Sequence, residues 1–270
     1  MTGNAARESA LIEAERGRTA FGQEPGAQGA AGPSGEWLLR VFDLLFDHFG
    51  PRGWWPADTP YEVAVGAILT QSVSWRNVER AIQALKEHGL LDPRALYRAP
   101  SDLVERLIVP ARYYRQKARK LLAFTAELVE RYGGDMAVML AGPTADVRAR
   151  LLGLWGIGEE TADSILLYAG GHPVFVVDAY TRRIFHRLGV WPESIGYREM
   201  QSFFHSRLPA DVRLFNEFHA LIDGVGNRYC AARNPRCSDC PLVRMCEYGR
   251  GRIAPRRDFR PEAKEGGDGR

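Results

Sequence analysis

The stretch LLGLWGIGEETADSILLYAG, residues 151–170, decides the fold of this chain. Gly153, Gly156 and Gly158 precede an apolar run, and this order predicts a tight turn that opens a helix. The unpaired backbone amides at the start of a helix normally attract an anion. This helix nevertheless begins with two carboxylates, Glu159 and Glu160. The presence of negative side chains at a site suited to a negative ligand needs an explanation.

Composition places the chain among folded globular proteins. It has 270 residues, of which 45% are hydrophobic, enough for one large domain or two lobes. The formal net charge of +3 permits nucleic acid as a partner without requiring it. The sequence contains no apolar run of about 18 residues and no secretory leader, so we expect a cytoplasmic protein without a membrane span. We also expect a monomer.

Apolar residues recur at helical spacing between residues 36 and 249, which predicts an all-α fold. The one strand-like run, HPVFVVDAY at residues 172–180, is short and is better explained as a connector that delivers Asp178 to a helix start. Residues 1–35 and 250–270 lack the periodicity. We predict a disordered tail at the N-terminus and a disordered basic tail at the C-terminus.

The hairpin and Asp178 each have two interpretations. Two helices joined by Gly-Ile-Gly would direct several amides at one point and hold a DNA phosphate without reading the base sequence. The alternative is a tight link in a helical bundle. Asp178 would be either a helix N-cap or a catalytic carboxylate.

All four cysteines lie within a 17-residue segment with the spacing C-x6-C-x2-C-x5-C, at Cys230, Cys237, Cys240 and Cys246. The disulfide framework of a secreted domain is normally spread more widely along the chain, so this spacing predicts a metal site. Four thiolates suit an iron–sulfur cluster. One structural zinc ion is the alternative.

The hairpin, the Val-Asp at a helix start 20 residues after Gly158, and the cysteine spacing together resemble the endonuclease III superfamily of DNA glycosylases. The resemblance covers residues 36–249. It implies two helical lobes, one from residues 57–170 with the helix-hairpin-helix and one from residues 36–56 and 171–249 with a 4Fe-4S cluster. It also implies base excision repair, in which a damaged base is flipped out of double-stranded DNA and removed.

The same resemblance implies roles for single residues. Asp178 would stabilise positive charge on the sugar and orient the nucleophile. Gly156 and Gly158 would present amides to a phosphate. Arg233 and Arg236, in the first loop between cysteines, would meet the DNA backbone, although ordinary solvated arginines are the alternative.

Glu160 stands where the bifunctional members carry a lysine that forms a Schiff base with the sugar. A carboxylate cannot form an imine, and no lysine lies between Lys120 and Lys264. The resemblance therefore implies a monofunctional glycosylase with Glu160 facing the pocket. Helix capping is the better explanation for Glu159.

The base to be removed is indicated by residues around Gln71, which corresponds to the glutamine that fills the gap in the duplex. Adenine-mismatch glycosylases have a glutamate five residues earlier, where this chain has Gly66. Trp54, Trp55 and Trp75 resemble instead the aromatic pocket of the 3-methyladenine glycosylase III-type branch, although each could be ordinary core. Tryptophan faces attract a cationic alkylated purine.

Two other functions stay open. The first is a bifunctional endonuclease III that acts on oxidised pyrimidines and cleaves the abasic site. The second is an iron–sulfur protein that binds distorted DNA without catalysis.

Overall fold

The computed structural model describes residues 33–253, which form helices and contain no β-strand. The predicted all-α fold is therefore confirmed for this part of the chain. The α-helices are α1 Gly35–Phe49, α2 Pro60–Leu69, α3 Trp75–Glu87, α4 Pro93–Arg98, α5 Ser101–Leu107, α6 Tyr114–Tyr132, α7 Met136–Met139, α8 Thr144–Leu152, α9 Glu159–Ser164, α10 Ala179–Arg187, α11 Tyr197–His205, α12 Val212–Arg228 and α13 Glu247–Ile253. Short 3₁₀ turns lie at Val109–Ala111 and Cys237–Asp239. None of the helices described is long and apolar enough to cross a membrane.

Both predicted tails fall largely outside the described residues. Helix α1 already includes Gly35, because the Ser34 side chain accepts a hydrogen bond from the Trp37 amide and caps the helix. At the other end, α13 continues through residues 250–253, four residues into the predicted basic tail. The strand-like run at residues 172–178 is an extended connector, as predicted.

The buried side chains form two hydrophobic cores. The first is built by α2 to α9 and includes Leu69 and Phe124. The second joins α1 to α10, α11 and α12, where Phe175 and Phe204 stack with ring centroids 3.8 Å apart. The predicted lobe boundaries stay a prediction, and the two cores depart from them at Leu167 and Val174.

A π-helical segment, Ile165–Ala169, extends α9 between the two cores. Within this segment Leu166 packs in the first core and Leu167 packs in the second. Tyr168 then reaches the tryptophans described below. This segment is the part of the hairpin's second helix that both cores share.

Asp163 on α9 is the polar link between the cores. Its fully buried carboxylate accepts two hydrogen bonds from Arg148 on α8, at 2.7 and 3.0 Å. It also accepts hydrogen bonds from Tyr197 Oη at 2.8 Å and Gln201 Nε2 at 2.7 Å, both on α11. A buried carboxylate needs this many donors because burial removes its water shell.

We expect Asp163→Asn to destabilise the fold by about 3 kcal/mol, because the substitution leaves the partly buried Arg148 with only the more distant carboxylate of Glu159, 3.6 Å away. Urea denaturation would measure the loss. Asp102→Asn is the matched control, since Asp102 pairs with Arg106 at an exposed site and should change stability much less. Equal stability of Asp163→Asn and the wild type would contradict the assigned role.

Candidate active site

The hairpin presents open backbone amides at the mouth of a cleft. The loop of residues 153–158 joins α8 to α9, and Gly158 occupies the N-cap of α9 without supplying a side-chain acceptor. The first amides of α9 therefore remain available to a ligand. Gly156 has φ +84°, a left-handed conformation that favours glycine. Gly156 and Gly158 thus lie at the surface where the sequence predicts a phosphate.

Gln71 ties the end of α2 to the hairpin. Its Nε2 donates to the Gly156 carbonyl at 3.3 Å and to Thr161 Oγ1 at 2.9 Å. Its Oε1 accepts a hydrogen bond from Lys120 Nζ on α6. The Lys120 methylenes pack against Gly156 so closely that a β-carbon at Gly156 would lie 2.4 Å from Lys120 Cγ. The amide of Gln71 is therefore held in one orientation.

A cavity of about 550 Å³ opens beside these residues. It is lined by Gln71, Lys120, residues 156–161 and Tyr197. The lining brings an amine, a carboxylate and the open hairpin amides into one cavity. Asp178 and the three tryptophans do not line this cavity.

Asp178 and Glu160 interact electrostatically. Asp178 caps α10, and its Oδ1 accepts hydrogen bonds from the amide and hydroxyl of Thr181 at 2.7 and 2.8 Å. Oδ2 has no hydrogen-bond partner among residues 33–253. Burial, followed by the charge of Asp178, raises the pKa of Glu160 to about 7, although Arg182 opposes the shift. Asp178 is thus both a cap and a fixed negative charge at the site.

The three predicted tryptophans form one aromatic cluster with Tyr168. Ring centroids are 5.3 Å apart for Trp54 and Trp55, 5.1 Å for Trp54 and Trp75, and 5.2 Å for Trp55 and Trp75. Tyr168 lies 5.2 Å from Trp55. All three tryptophans are half-buried, and Trp55 and Trp75 also pack against the first core. Their role as a base pocket stays a prediction.

Trp55 occupies the space over Gly66. A β-carbon at Gly66 would lie 3.1 Å from both Cζ2 and Nε1 of the Trp55 indole. A side chain as long as glutamate would therefore have to displace the tryptophan. This packing gives a physical reason for glycine at residue 66. The adenine-mismatch glycosylases have a glutamate at this position, and its absence here argues against that branch.

Tyr168 connects the aromatic cluster to α12. Its hydroxyl is 2.5 Å from Nδ1 of His219, which is buried. Burial is the main cause of the raised pKa of Tyr168 and of Asp223, and the Asp178 charge adds to both. The same negative field therefore reaches the tyrosine that contacts Trp55.

The four cysteines are free and half-buried near α10. Burial raises the pKa of Cys240 to about 11, and the other three thiols add to the shift, so the sulfur atoms lie within electrostatic reach of one another. Arg187 donates to Cys230 Sγ at 3.2 Å, and the Gly249 amide donates to Cys246 Sγ at 3.3 Å. Such contacts to sulfur are typical of iron–sulfur sites.

The four cysteines do not form a recognisable metal-binding group within the described residues. Across residues 33–253 no three His, Cys, Asp or Glu side chains are placed so that they could hold a metal ion. The iron–sulfur cluster and the alternative of one structural zinc ion therefore both stay predictions.

The two predicted DNA-contacting arginines are both exposed. Arg236 pairs with Asp239 at 2.9 Å and lies over the Tyr229 ring at 5.7 Å, so its side chain already has partners within the loop. Arg233 lies on the same exposed loop. Their contact with DNA stays a prediction.

The sequence does not indicate Lys120, Tyr168 or Arg187 as site residues. Lys120 is distant from the hairpin in sequence, and only the packing of α6 brings it there. Tyr168 lies in an apolar run, which predicts an ordinary core side chain. Arg187 follows Asp178 in an ordinary amphipathic helix, and nothing in its spacing indicates a contact with Cys230.

Comparison with known proteins identifies the family of this fold. A family model described as HhH-GPD superfamily base excision DNA repair protein matches residues 65–210. A predicted DNA repair glycosylase of Methanocaldococcus jannaschii is 43% identical over 212 residues, covering 78% of this chain and 96% of that protein.

Two solved structures have similar folds. An endonuclease III in a non-covalent complex with DNA matches with a TM-score of 0.71 and 23% identity, covering 83% of this chain and all of that one. The H. pylori 3-methyladenine DNA glycosylase bound to 1,N6-ethenoadenine matches with a TM-score of 0.60 and 26% identity, covering 70% of this chain and 94% of that one.

We expect Glu160 to titrate near pH 7 in a carboxyl-detected NMR titration, so that it is mainly protonated below that pH and ionised above it. In Asp178→Asn the pKa should fall toward the ordinary value of 4.5, because one of the causes of the shift is removed. Glu159 is the internal control, since its bond with Arg198 lowers its pKa below 4.5. Titration of Glu160 near 4.5 in the wild type would contradict this electrostatic arrangement.

Proposed function

Because the chain belongs to the HhH-GPD superfamily of base excision DNA repair proteins and is a DNA glycosylase, we propose that it hydrolyses the bond between deoxyribose and an alkylated purine. We propose further that it leaves the DNA strand intact. The observation that carries the proposal is the position of Glu160 beside Asp178, with a cluster of three tryptophans nearby.

DNA binding is supported by the open amides of the hairpin and by the fold's similarity to a DNA complex of endonuclease III. The amides around Gly156 and Gly158 would hold a phosphate, and the exposed Arg233 and Arg236 would hold the backbone further along. These contacts do not read base identity. We therefore propose that the base is selected by the cleft formed by the three tryptophans, Asp178 and Glu160.

The cleft favours a flipped base that carries positive charge. Trp54, Trp55 and Trp75 offer ring faces for stacking, which offsets part of the few kcal/mol lost when a base leaves the duplex. Ring faces also attract a cation. The negative field of Asp178 acts in the same direction, and an N-alkylated purine has the charge that both features prefer.

Asp178 and Glu160 have different tasks in this proposal. Asp178 is fixed through Oδ1 and presents Oδ2, which would stabilise positive charge on the sugar as the base departs. Glu160, with a pKa of about 7, would accept a proton from the water that attacks C1′. A cationic base is already a good leaving group, so no strong acid is needed. The carboxylate at residue 160 cannot form an imine, which is why we propose hydrolysis.

We also propose that Cys230, Cys237, Cys240 and Cys246 hold a 4Fe-4S cluster. Four half-buried thiols without disulfides, with N–H donors to two of them, fit the cluster chemically. When bound, the cluster supplies iron–thiolate bonds that fix the loop carrying Arg233 and Arg236. Arg187 would hold the loop to α10 through its contacts with Cys230 Sγ and the Ala231 carbonyl.

The function is tested with duplexes that contain either an alkylated purine or an oxidised pyrimidine. We expect free alkylated base, with strand breaks only after alkali. Asp178→Asn should lower base release by at least about 100-fold with little change in DNA affinity, because it removes the charge that stabilises the sugar cation. Asp223→Asn is the matched control, since Asp223 contributes to the same field from α12, and its effect should be smaller.

Release of the oxidised pyrimidine with immediate strand breaks would favour the endonuclease III alternative. Binding without any base release, and equal behaviour of wild type and Asp178→Asn, would favour the non-catalytic alternative.

The cluster is tested on anaerobically purified protein, for which we expect about four iron atoms per chain and the visible absorption of iron–thiolate bonds. Arg187→Ala should lose iron faster, because the N–H contact with Cys230 Sγ is removed. Arg244→Ala, an exposed arginine on the same loop, is the control. One zinc atom and no iron would overturn the cluster assignment.

A further inference from the structure

We infer that Glu217 on α12 is a positioning residue for Trp54 and Trp55, because its carboxylate holds the backbone that carries both rings. This inference rests on the proposed function, since it concerns the aromatic cluster of the proposed cleft. Glu217 would act through the two rings and not on the base itself. It lies on a helix whose apolar side chains belong to the second core.

The two tryptophans lie on a segment without a helix, residues 50–59, which joins α1 to α2. The Arg52 amide donates a hydrogen bond of 2.6 Å to Glu217 Oε1. Burial raises the pKa of Glu217, while the Arg52 amide, the Arg52 charge and the Gly53 amide oppose the shift by stabilising the ionised carboxylate. Hydrogen bonds to an ionised acceptor are stronger than those to a neutral one. Because Trp54 directly follows Gly53, these contacts fix the backbone immediately before the rings.

Helix α12 packs closely against the same end of the segment. A β-carbon at Gly224 would lie 3.6 Å from Cζ of Phe49 and 3.7 Å from Nε of Arg52. Glu217 and Gly224 are two helical turns apart, so they lie on the same face of α12. The hydrogen bond from Glu217 is therefore part of a continuous contact between α12 and the start of the segment.

The rings of Trp54 and Trp55 depend on that backbone for their orientation. Across residues 33–253 neither indole N–H has a hydrogen-bond partner, although both nitrogen atoms are buried. Trp75 differs, because its Nε1 donates to Glu79 Oε1 at 2.8 Å. Trp75 is therefore oriented by a hydrogen bond of its own, whereas Trp54 and Trp55 are oriented by packing and by the segment that carries them.

The other end of the segment is held by α2, whose apolar side chains lie in the first core. The Asp58 amide donates to Glu62 Oε2 on α2 at 3.0 Å. One turn later, Gly66 makes room for the Trp55 indole, which lies 3.1 Å from the place of a β-carbon. Glu217 is the corresponding carboxylate on α12. The segment is thus fastened at both ends, each time by a carboxylate that accepts a backbone amide.

A second effect of Glu217 is electrostatic, and it has to be separated from the hydrogen bond. After burial and the charges of Asp178 and Asp223, the charge of Glu217 adds to the raised pKa of Tyr168, which contacts Trp55. Glu217→Gln distinguishes the two effects. It keeps an oxygen that accepts a hydrogen bond from the backbone amide, but it removes the charge.

Full-length protein labelled with 5-fluorotryptophan tests this role without any DNA. The six indoles are followed by ¹⁹F NMR and assigned with single Trp→Phe variants. Glu217→Ala should shift the resonances of Trp54 and Trp55, because the backbone before them is released. The resonance of Trp191, which is buried in the second core, should stay in place and shows that the variant is folded.

Two further variants identify the cause of the shift. Glu217→Gln should resemble the wild type, because the Arg52 amide keeps an acceptor. Glu199→Ala is the matched control, since Glu199 accepts a hydrogen bond of the same kind from the Gly196 amide at 3.0 Å. This control should leave the resonances of Trp54 and Trp55 unchanged.

Two results would overturn the inference. The first is an unchanged position of the Trp54 and Trp55 resonances in Glu217→Ala. The second is an equal shift in Glu217→Ala and Glu217→Gln, because it would assign the effect to the charge and not to the hydrogen bond.

Base release from an alkylated duplex is a separate readout. Glu217→Ala should raise KM by about tenfold, the value of one stacking contact, with a smaller change in kcat, and Glu217→Gln should recover most of this loss. A loss confined to kcat would overturn the positioning role. The absence of base release by the wild type would overturn the proposed function, and the ¹⁹F resonances would still decide whether Glu217 positions the two rings.

Discussion

The buried carboxylate of Asp163 is the constraint on which the rest of the structure depends. Arg148 holds it from α8, and Tyr197 and Gln201 hold it from α11. Asp163 lies one turn after Glu160 on the same helix, so the contacts that join the two cores also fix the helix that carries the hairpin. A shift of the second core against the first would break the hydrogen bonds from Tyr197 and Gln201, which is costly because the buried carboxylate cannot regain water.

This constraint explains how two carboxylates can occupy the start of α9. Glu159 pairs with Arg198 at 2.7 Å and lies 3.6 Å from Arg148, so its charge is neutralised from both α11 and α8. Among residues 33–253 Glu160 has no ion-pair partner, and its pKa is raised instead. Glu159 therefore belongs to the ion pairs that stabilise the fold. We assign Glu160 to the proposed cleft. The helix dipole favours both, and the two differ through their tertiary neighbours.

The sequence predicts the features that depend on short spacing. The hairpin glycines, the helical class and the cysteine segment are all encoded within about twenty residues, where periodicity and turn chemistry are reliable. The gathering of Trp54, Trp55 and Trp75 follows from a family resemblance and is found in the structure, while their role stays a prediction. Lys120 could not be found this way, because its contact with Gln71 depends on how α6 packs against the hairpin. The π-helical segment Ile165–Ala169 is not indicated by the sequence either, because its apolar residues also fit an ordinary α-helix.

The space above Gly66 shows how packing can select chemistry in this fold. An acidic side chain at that position would have to push the Trp55 indole aside, because the indole already lies 3.1 Å from the place of a β-carbon. A chain that keeps the aromatic wall in this position therefore supplies its negative charge from elsewhere. In this chain Asp178 and Glu160 supply it, from the starts of α10 and α9. Burial is the main cause of the raised pKa of Glu160 and of Tyr168, which contacts Trp55, and the charge of Asp178 adds to both. Asp178 therefore acts on the start of α9 and on the aromatic wall together.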